Sequence, residues 1–129
     1  MSAAGRLIGA PVCDVLPIRI GPEFVGIRLP GGLELAEGLG SGSMEIPDAM
    51  QEGDLTHRDQ DDNARRHAGI FALHDWCWGR DPQWLRLVTD EHKFFSHDHG
   101  HYFPQGPNWN EAALVANADS AWELAKGFD

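Results

Sequence analysis

The sequence predicts an α+β fold, a central buried helix and a terminal helix around a β-hairpin. Three observations point there. Residues 61–79 carry apolar side chains at three- and four-residue spacing between a polar start and a Gly-Pro stop. Residues 84–88 and 93–97 are two short strand-like runs joined by Thr89-Asp90-Glu91-His92. Residues 112–126 form an Ala-rich run behind polar capping residues. The chain has 129 residues, 42% of them hydrophobic, with five Trp and six Phe. That is enough for one core, so a single domain over 1–129 is expected, with 47–62 a mobile acidic connection.

Residues 6–10 read as the last turn of an element ended by Gly9 and Pro11. A strand is expected over 12–20, where Pro11 and Pro17 mark an edge or bulge. Gly21-Pro22 is a turn, and 24–29 is either a second short strand or a loop. From 30 to 42 glycine is frequent and a loop is expected. Between Glu45 and Asp62 stand seven Asp or Glu against Arg58. This stretch reads as a solvated connection with a turn of helix near 48–53. Asp61, Asp62 and Asn63 each suit a helix N-terminus. Ala64, Ala68, Phe71, Ala72 and Trp76 then share one face, widened by Ile70, Leu73 and Cys77. Gly79 and Pro82 end the helix. The Trp residues at 76, 78, 84, 109 and 122 read as core or loop anchors. Asn108 and Glu111 form a capping box for the last helix, whose apolar face is Leu114, Ala118, Ala121, Trp122 and Ala125.

Composition narrows the function. The formal charge of −10 argues against nucleic acid as the main partner, since phosphate backbones need clustered Lys and Arg. No apolar run approaches the roughly 20 residues that span a bilayer, so no membrane is expected. Met1 to Arg6 lacks a signal-peptide pattern, and Cys13 and Cys77 stand in no metal or disulfide spacing. A reducing, cytoplasmic setting is the expectation.

Chemistry concentrates in His97-Asp98-His99-Gly100-His101, framed by Phe94, Phe95, Tyr102 and Phe103. With Asp98 the three imidazoles can form a transition-metal site; the other readings are hydrogen-bonding structural residues or positioning groups in an active site. The remaining histidines, His57, His67, His74 and His92, stand in no ligand spacing. The hairpin adds a geometric argument. Asp81 lies just before its first strand and Asp98 directly after its second, so both carboxylates fall at its open end, about 5–10 Å apart. One carboxylate to orient a hydroxyl and one to hold a divalent cation is a phosphoryl-transfer layout. Gly38-Leu39-Gly40-Ser41-Gly42-Ser43 reads either as a flexible loop or as a phosphate cradle built from backbone N–H groups.

The order of these pieces resembles the HipA-like kinase family within the protein-kinase-like superfamily. Gly9-Ala10-Pro11-Val12 resembles the family's G-L-P-V-P entry. Gly38 to Ser43 resembles its Gly-Ser element. The run Ala72-Leu73-His74-Asp75-Trp76-Cys77-Trp78-Gly79-Arg80-Asp81 resembles the catalytic-loop pattern D-x-W-x-G-N-x-D. The most specific match is Phe95 to Phe103 followed by Gly106-Pro107-Asn108-Trp109, which resembles the metal loop I-D-H-G-H-x-F-x-G-P-x-W. The resemblance implies Asp81 as catalytic residue, Asp98 as metal ligand, Gly40, Ser41, Gly42 and Ser43 at the nucleotide, and Mg²⁺ and ATP as cofactors. Gln83 stands near the place of the family's second metal-binding asparagine and offers a carbonyl oxygen. Gly79-Arg80 replaces the asparagine usual before the catalytic aspartate. The phosphate-contacting lysine of the N-terminal lobe has no counterpart, because the only lysines are Lys93 and Lys126.

The resemblance therefore implies a degenerate or partial kinase C-terminal lobe, its nucleotide-binding lobe absent, that binds nucleotide and Mg²⁺ weakly or serves as a protein-interaction module. The alternatives are an active phosphotransferase completed by another chain, and a small metal-binding or interaction protein whose loop only mimics the kinase motif. A protein partner or a homodimer would cover the apolar surface left by a missing lobe.

Overall fold

The structure is a computed structural model and describes residues 1–80, 82–89, 92–104 and 108–118, without the side chain of His101. It is α+β, as expected: three helices and two small antiparallel sheets. Contacts divide the chain into two compact units, Asp14–Glu45 and the remainder, Met1–Cys13 with Ile46–Asp129.

In the larger unit, helix α1 (Ser2–Leu7) packs on helix α2 (Asn63–Trp76), and a sheet of β3 (Ala49–Glu52), β4 (Gln83–Leu87) and β5 (Phe94–His97) lies in the order β3-β4-β5. The β4–β5 hairpin forms where the alternation predicts it, with Gln83 opposite His97 and Arg86 opposite Phe94. Residues 11–13 run along the other edge of β5, where Ser96 N–H donates to the Pro11 carbonyl at 2.8 Å. The expected strand over 12–20 thus splits, its first residues joining β5 and the rest forming β1.

Three readings of the sequence are corrected here. The acidic stretch holds strand β3 where a helical turn was expected. Glu52 explains it, because its carboxylate takes the Arg86 guanidinium of β4 at 2.6 Å and removes a charge from the sheet edge. The buried face of α2 is Asn63, His67, Ile70, Leu73 and His74, continued by Cys77, while Ala64, Ala68, Ala72 and Trp76 are exposed. Asn63 is accommodated inside because its amide is bonded there: Nδ2 donates to the carbonyls of His57 and His92, both at 3.1 Å. Trp78, not Gly79, takes the left-handed conformation beyond the helix (φ 51°). Gly79 N–H then closes a Schellman-type turn onto the His74 carbonyl at 2.8 Å.

Two buried clusters fill this unit. Ala10, Leu73, Cys77 and Tyr102 form one, and Ile70, Trp84 and Phe94 the other. Gly5 lets α1 approach Val12 and α2, since a Cβ there would stand 2.6 Å from Val12 Cγ1 and 3.1 Å from Leu73 Cδ2. Helix α3 (Glu111–Asn117) is capped by Asn110, not Asn108: its Oδ1 accepts from Ala113 N–H at 2.9 Å. Ala121, Trp122 and Ala125 lie outside the described residues.

The smaller unit is a hairpin of β1 (Val15–Ile20) and β2 (Gly38–Ser43), where a glycine-rich loop was expected. Leu16, Ile18 and Ile20 face Gly42, Gly40 and Gly38 across the ladder, and Ile18 folds over the bare backbone of Gly40 and Gly42. Glycine here makes room for branched neighbours. Residues 24–29 form no strand; a 3-10 turn at Pro22–Phe24 leads to a bridge between Arg28 and Glu34. Among the described residues no helix is long and apolar enough to cross a membrane.

Candidate functional site

The open end of the β4–β5 hairpin collects what the sequence places there. Gln83 and His97 are the terminal pair of the ladder, so their side chains leave the sheet on the same face. Asp98 follows β5 with left-handed backbone (φ 51°), which swings its carboxylate back across the strand end. Gln83 Nε2 donates to Asp98 Oδ2 at 3.3 Å. Two residues fifteen apart in sequence, each expected at a metal, are therefore in contact. Asp81, the expected catalytic residue, lies outside the described residues; its flanks, Arg80 and Pro82, lead directly into Gln83.

These groups fit a small divalent cation. Mg²⁺ holds oxygens at about 2.1 Å in an octahedron, so neighbouring ligand oxygens stand roughly 3 Å apart. The Gln83–Asp98 spacing is close to that. Turning the Gln83 amide by half a turn places Oε1 where Nε2 stands. The cation would then see one carboxylate and one carbonyl, with water and phosphate completing its shell, the usual Mg²⁺ arrangement. Among the described residues no group of three or more His, Cys, Asp or Glu assembles for a metal.

The histidines do something else. His99 Nε2 bonds Ser96 Oγ at 2.9 Å, Ser96 Oγ lies 3.3 Å from Tyr102 Oη, and Tyr102 Oη bonds His74 Nε2. His74, Ser96 and Tyr102 are all buried. The His74 ring also packs edge-on to Trp84, centroids 4.9 Å apart. Burial, then the nearby His99 charge, lowers the His74 pKa to about 4. Burial first, then the chain's amino terminus and His97, lowers His99 to about 4 against the pull of Asp98. Burial also raises the Tyr102 hydroxyl well above its ordinary value. All three groups are thus held neutral at physiological pH. His97 is lowered too, by burial, with Asp98 opposing. Its Nε2 is buried and has no partner among the described residues. The His99 ring is turned to Ser96, and the side chain of His101 lies outside the described residues.

Gly40, Ser41, Gly42 and Ser43 are in strand β2. Extended backbone points successive N–H groups to opposite sides, so they do not converge as a phosphate nest requires. What the sequence did not reveal is the His74–Tyr102–Ser96 core. The heptad-like spacing of Asn63, His67, Ile70, His74 and Cys77 was its one available signal. The pairing of His74 with Tyr102 spans 28 positions and leaves none. Comparison with known protein families, curated proteins and solved structures finds no match.

Proposed function

We propose that this chain is a relative of the HipA-like kinases, of C-terminal-lobe type, that binds Mg²⁺ and ATP weakly at the open end of its β4–β5 hairpin rather than turning over as an efficient kinase. The observation that carries the reading is the 3.3 Å contact between Gln83 and Asp98. With its amide turned, Gln83 would set a carbonyl oxygen beside the motif residue Asp98, near the place where the resemblance has a metal-binding asparagine. When bound, Mg²⁺ would neutralise the nucleotide phosphates; Asp98 and Gln83 would fix its position. Transfer is a different matter. Lys93 precedes β5 and Asp98 follows it, so the extended strand separates them by about 17 Å of backbone. Lys93 therefore does not stand beside Asp98 to contact a transferring phosphate. Cys13 and Cys77 are buried and free, which suits the cytoplasm.

The test is thermal unfolding with Mg²⁺ and ATP added singly and together. A rise in Tm that needs both, and disappears in Asp98→Ala, is the expected result. No rise at millimolar concentrations would sink the reading. Phosphoryl transfer abolished by Asp81→Ala would mean that the chain is an active phosphotransferase after all. A second reading, a transition-metal site on His97 and Asp98, draws on the unpartnered His97 Nε2. Stabilisation by Zn²⁺ alone, lost in His97→Ala, would favour it.

A further inference from the structure

We infer that the hydrogen-bonded chain His99–Ser96–Tyr102–His74 is a clasp that positions the Asp98 carboxylate, with His74 as its anchoring residue on α2. The inference rests on the Mg²⁺–ATP reading of Asp98 and adds four side chains to the site that never touch a ligand.

Two segments meet beside the hairpin end: 77–80, which leaves α2, and 98–103, which carries Asp98. Phe103 N–H donates to the Cys77 carbonyl at 2.7 Å, a backbone tie between them. The His74 ring lies between the same two segments. Its Nε2 meets Tyr102 Oη on one side. On the other, Nδ1 sits where a Cβ on residue 79 would stand, so only glycine fits there. His99, next to Asp98, is tied in turn to Ser96 on β5. Asp98 therefore stands between two clamped points, the β5 ladder before it and the His99–Tyr102 turn after it.

Backbone conformation supports the same conclusion. Of the seven non-glycine residues with positive φ among the described ones, Trp78 (φ 51°), Asp98 (φ 51°) and Phe103 (φ 67°) lie in the clasped segments. Such conformations cost free energy in bulky residues and persist where the surroundings impose them.

The hydrogen-bond inventory makes the clasp directional. Ser96 and Tyr102 have one hydroxyl proton each, so the three bonds run head to tail. One imidazole donates through Nε2 and the other accepts. Deleting any member leaves a buried donor or acceptor without its partner, and the loop then relaxes locally.

Tyr102→Phe removes one oxygen and keeps the ring packing. In the ligand-free protein it should speed amide hydrogen exchange at 98–103 by tenfold or more and leave the centre of α2 and β4 unchanged. The affinity for Mg²⁺ with ATP, measured by calorimetry, should fall about tenfold. His74→Gln, whose amide reaches the Nε2 position, should restore both readouts to within a few-fold of wild type, whereas His74→Leu should not. Unchanged exchange at 98–103 in Tyr102→Phe, or loss of protection spread evenly over α2 and the sheet, would overturn the clasp. Equal behaviour of His74→Gln and His74→Leu would overturn it as well. If the wild-type protein binds no Mg²⁺–ATP, the functional reading fails, and the exchange comparison still decides whether the clasp exists.

Discussion

Two regions of this molecule treat apolar side chains in opposite ways. Between Asp14 and Glu45, all described, no residue is buried; Ile18 is 46% exposed and Leu39 83%. In the remainder, Phe94, Ile70 and Leu73 are wholly inside, together with His74, Asn63 and Ser96. The difference is one of layers. A two-stranded hairpin has a ladder and two faces but no third element to close over either, and such hairpins are marginal alone. The larger unit has helices on a sheet, and that enclosure makes burial of polar groups feasible, because it fixes their partners. The lesson is that the chemistry of this chain belongs where there is an interior to orient it, and the hairpin has a surface to offer instead.

The comparison can be broken in stages. Phe94→Ala empties the middle of one buried cluster and should lower the unfolding free energy by about 3–5 kcal/mol in urea titration. The corresponding truncation Ile18→Ala should cost less than about 1 kcal/mol; equal losses at the two sites would abolish the distinction. Acid is the next lever. The folded pKa of His74, about 4, lies below its unfolded value of about 6.5, so the unfolded chain takes the proton first. The His74 contribution is complete above about pH 6.5, declines as the pH falls through that window, and levels off below about 4. The total is up to about 3 kcal/mol, and His74→Gln should make the profile shallower, leaving the part that His99 contributes over the same window.

Gly79→Ala forces a methyl group against the His74 ring and should cost about 1–3 kcal/mol by the same titration. The smallest effect belongs to the exposed hairpin. Leu39→Ser should leave monomer stability within about 0.5 kcal/mol. If the expected homodimer forms through that hairpin, light scattering should show the dimer lost in Ile18→Asp. A wild-type monomer at micromolar concentration would remove the homodimer from consideration.

Much of the site's framework was legible because hairpins announce themselves locally. Residues 83–87 and 94–97 alternate on either side of a short polar loop, and that alone carries Gln83 and Asp98 to the same end. The rest depended on partners far away in sequence. Strand β3 is acidic and looks solvated until Arg86 arrives to pair with Glu52. The face of α2 looks apolar by composition, yet it is chosen by what Asn63 and His74 can bond. Gly79 looks like a helix stop and is in fact a clearance for an imidazole. The Gly-Ser run looks like a loop, and it is a strand because Ile18 needs its empty side.

The left-handed Asp98 has a consequence for anyone improving this protein. A non-glycine residue in that conformation costs on the order of 1 kcal/mol, so Asp98→Gly should make the ligand-free chain more robust to heat. A selection for thermal tolerance alone would tend to discard the Asp98 carboxylate on which the proposed reading depends. If Mg²⁺ and ATP bind as proposed, screens of variants run in their presence would set an advantage for Asp98 against the relief of strain.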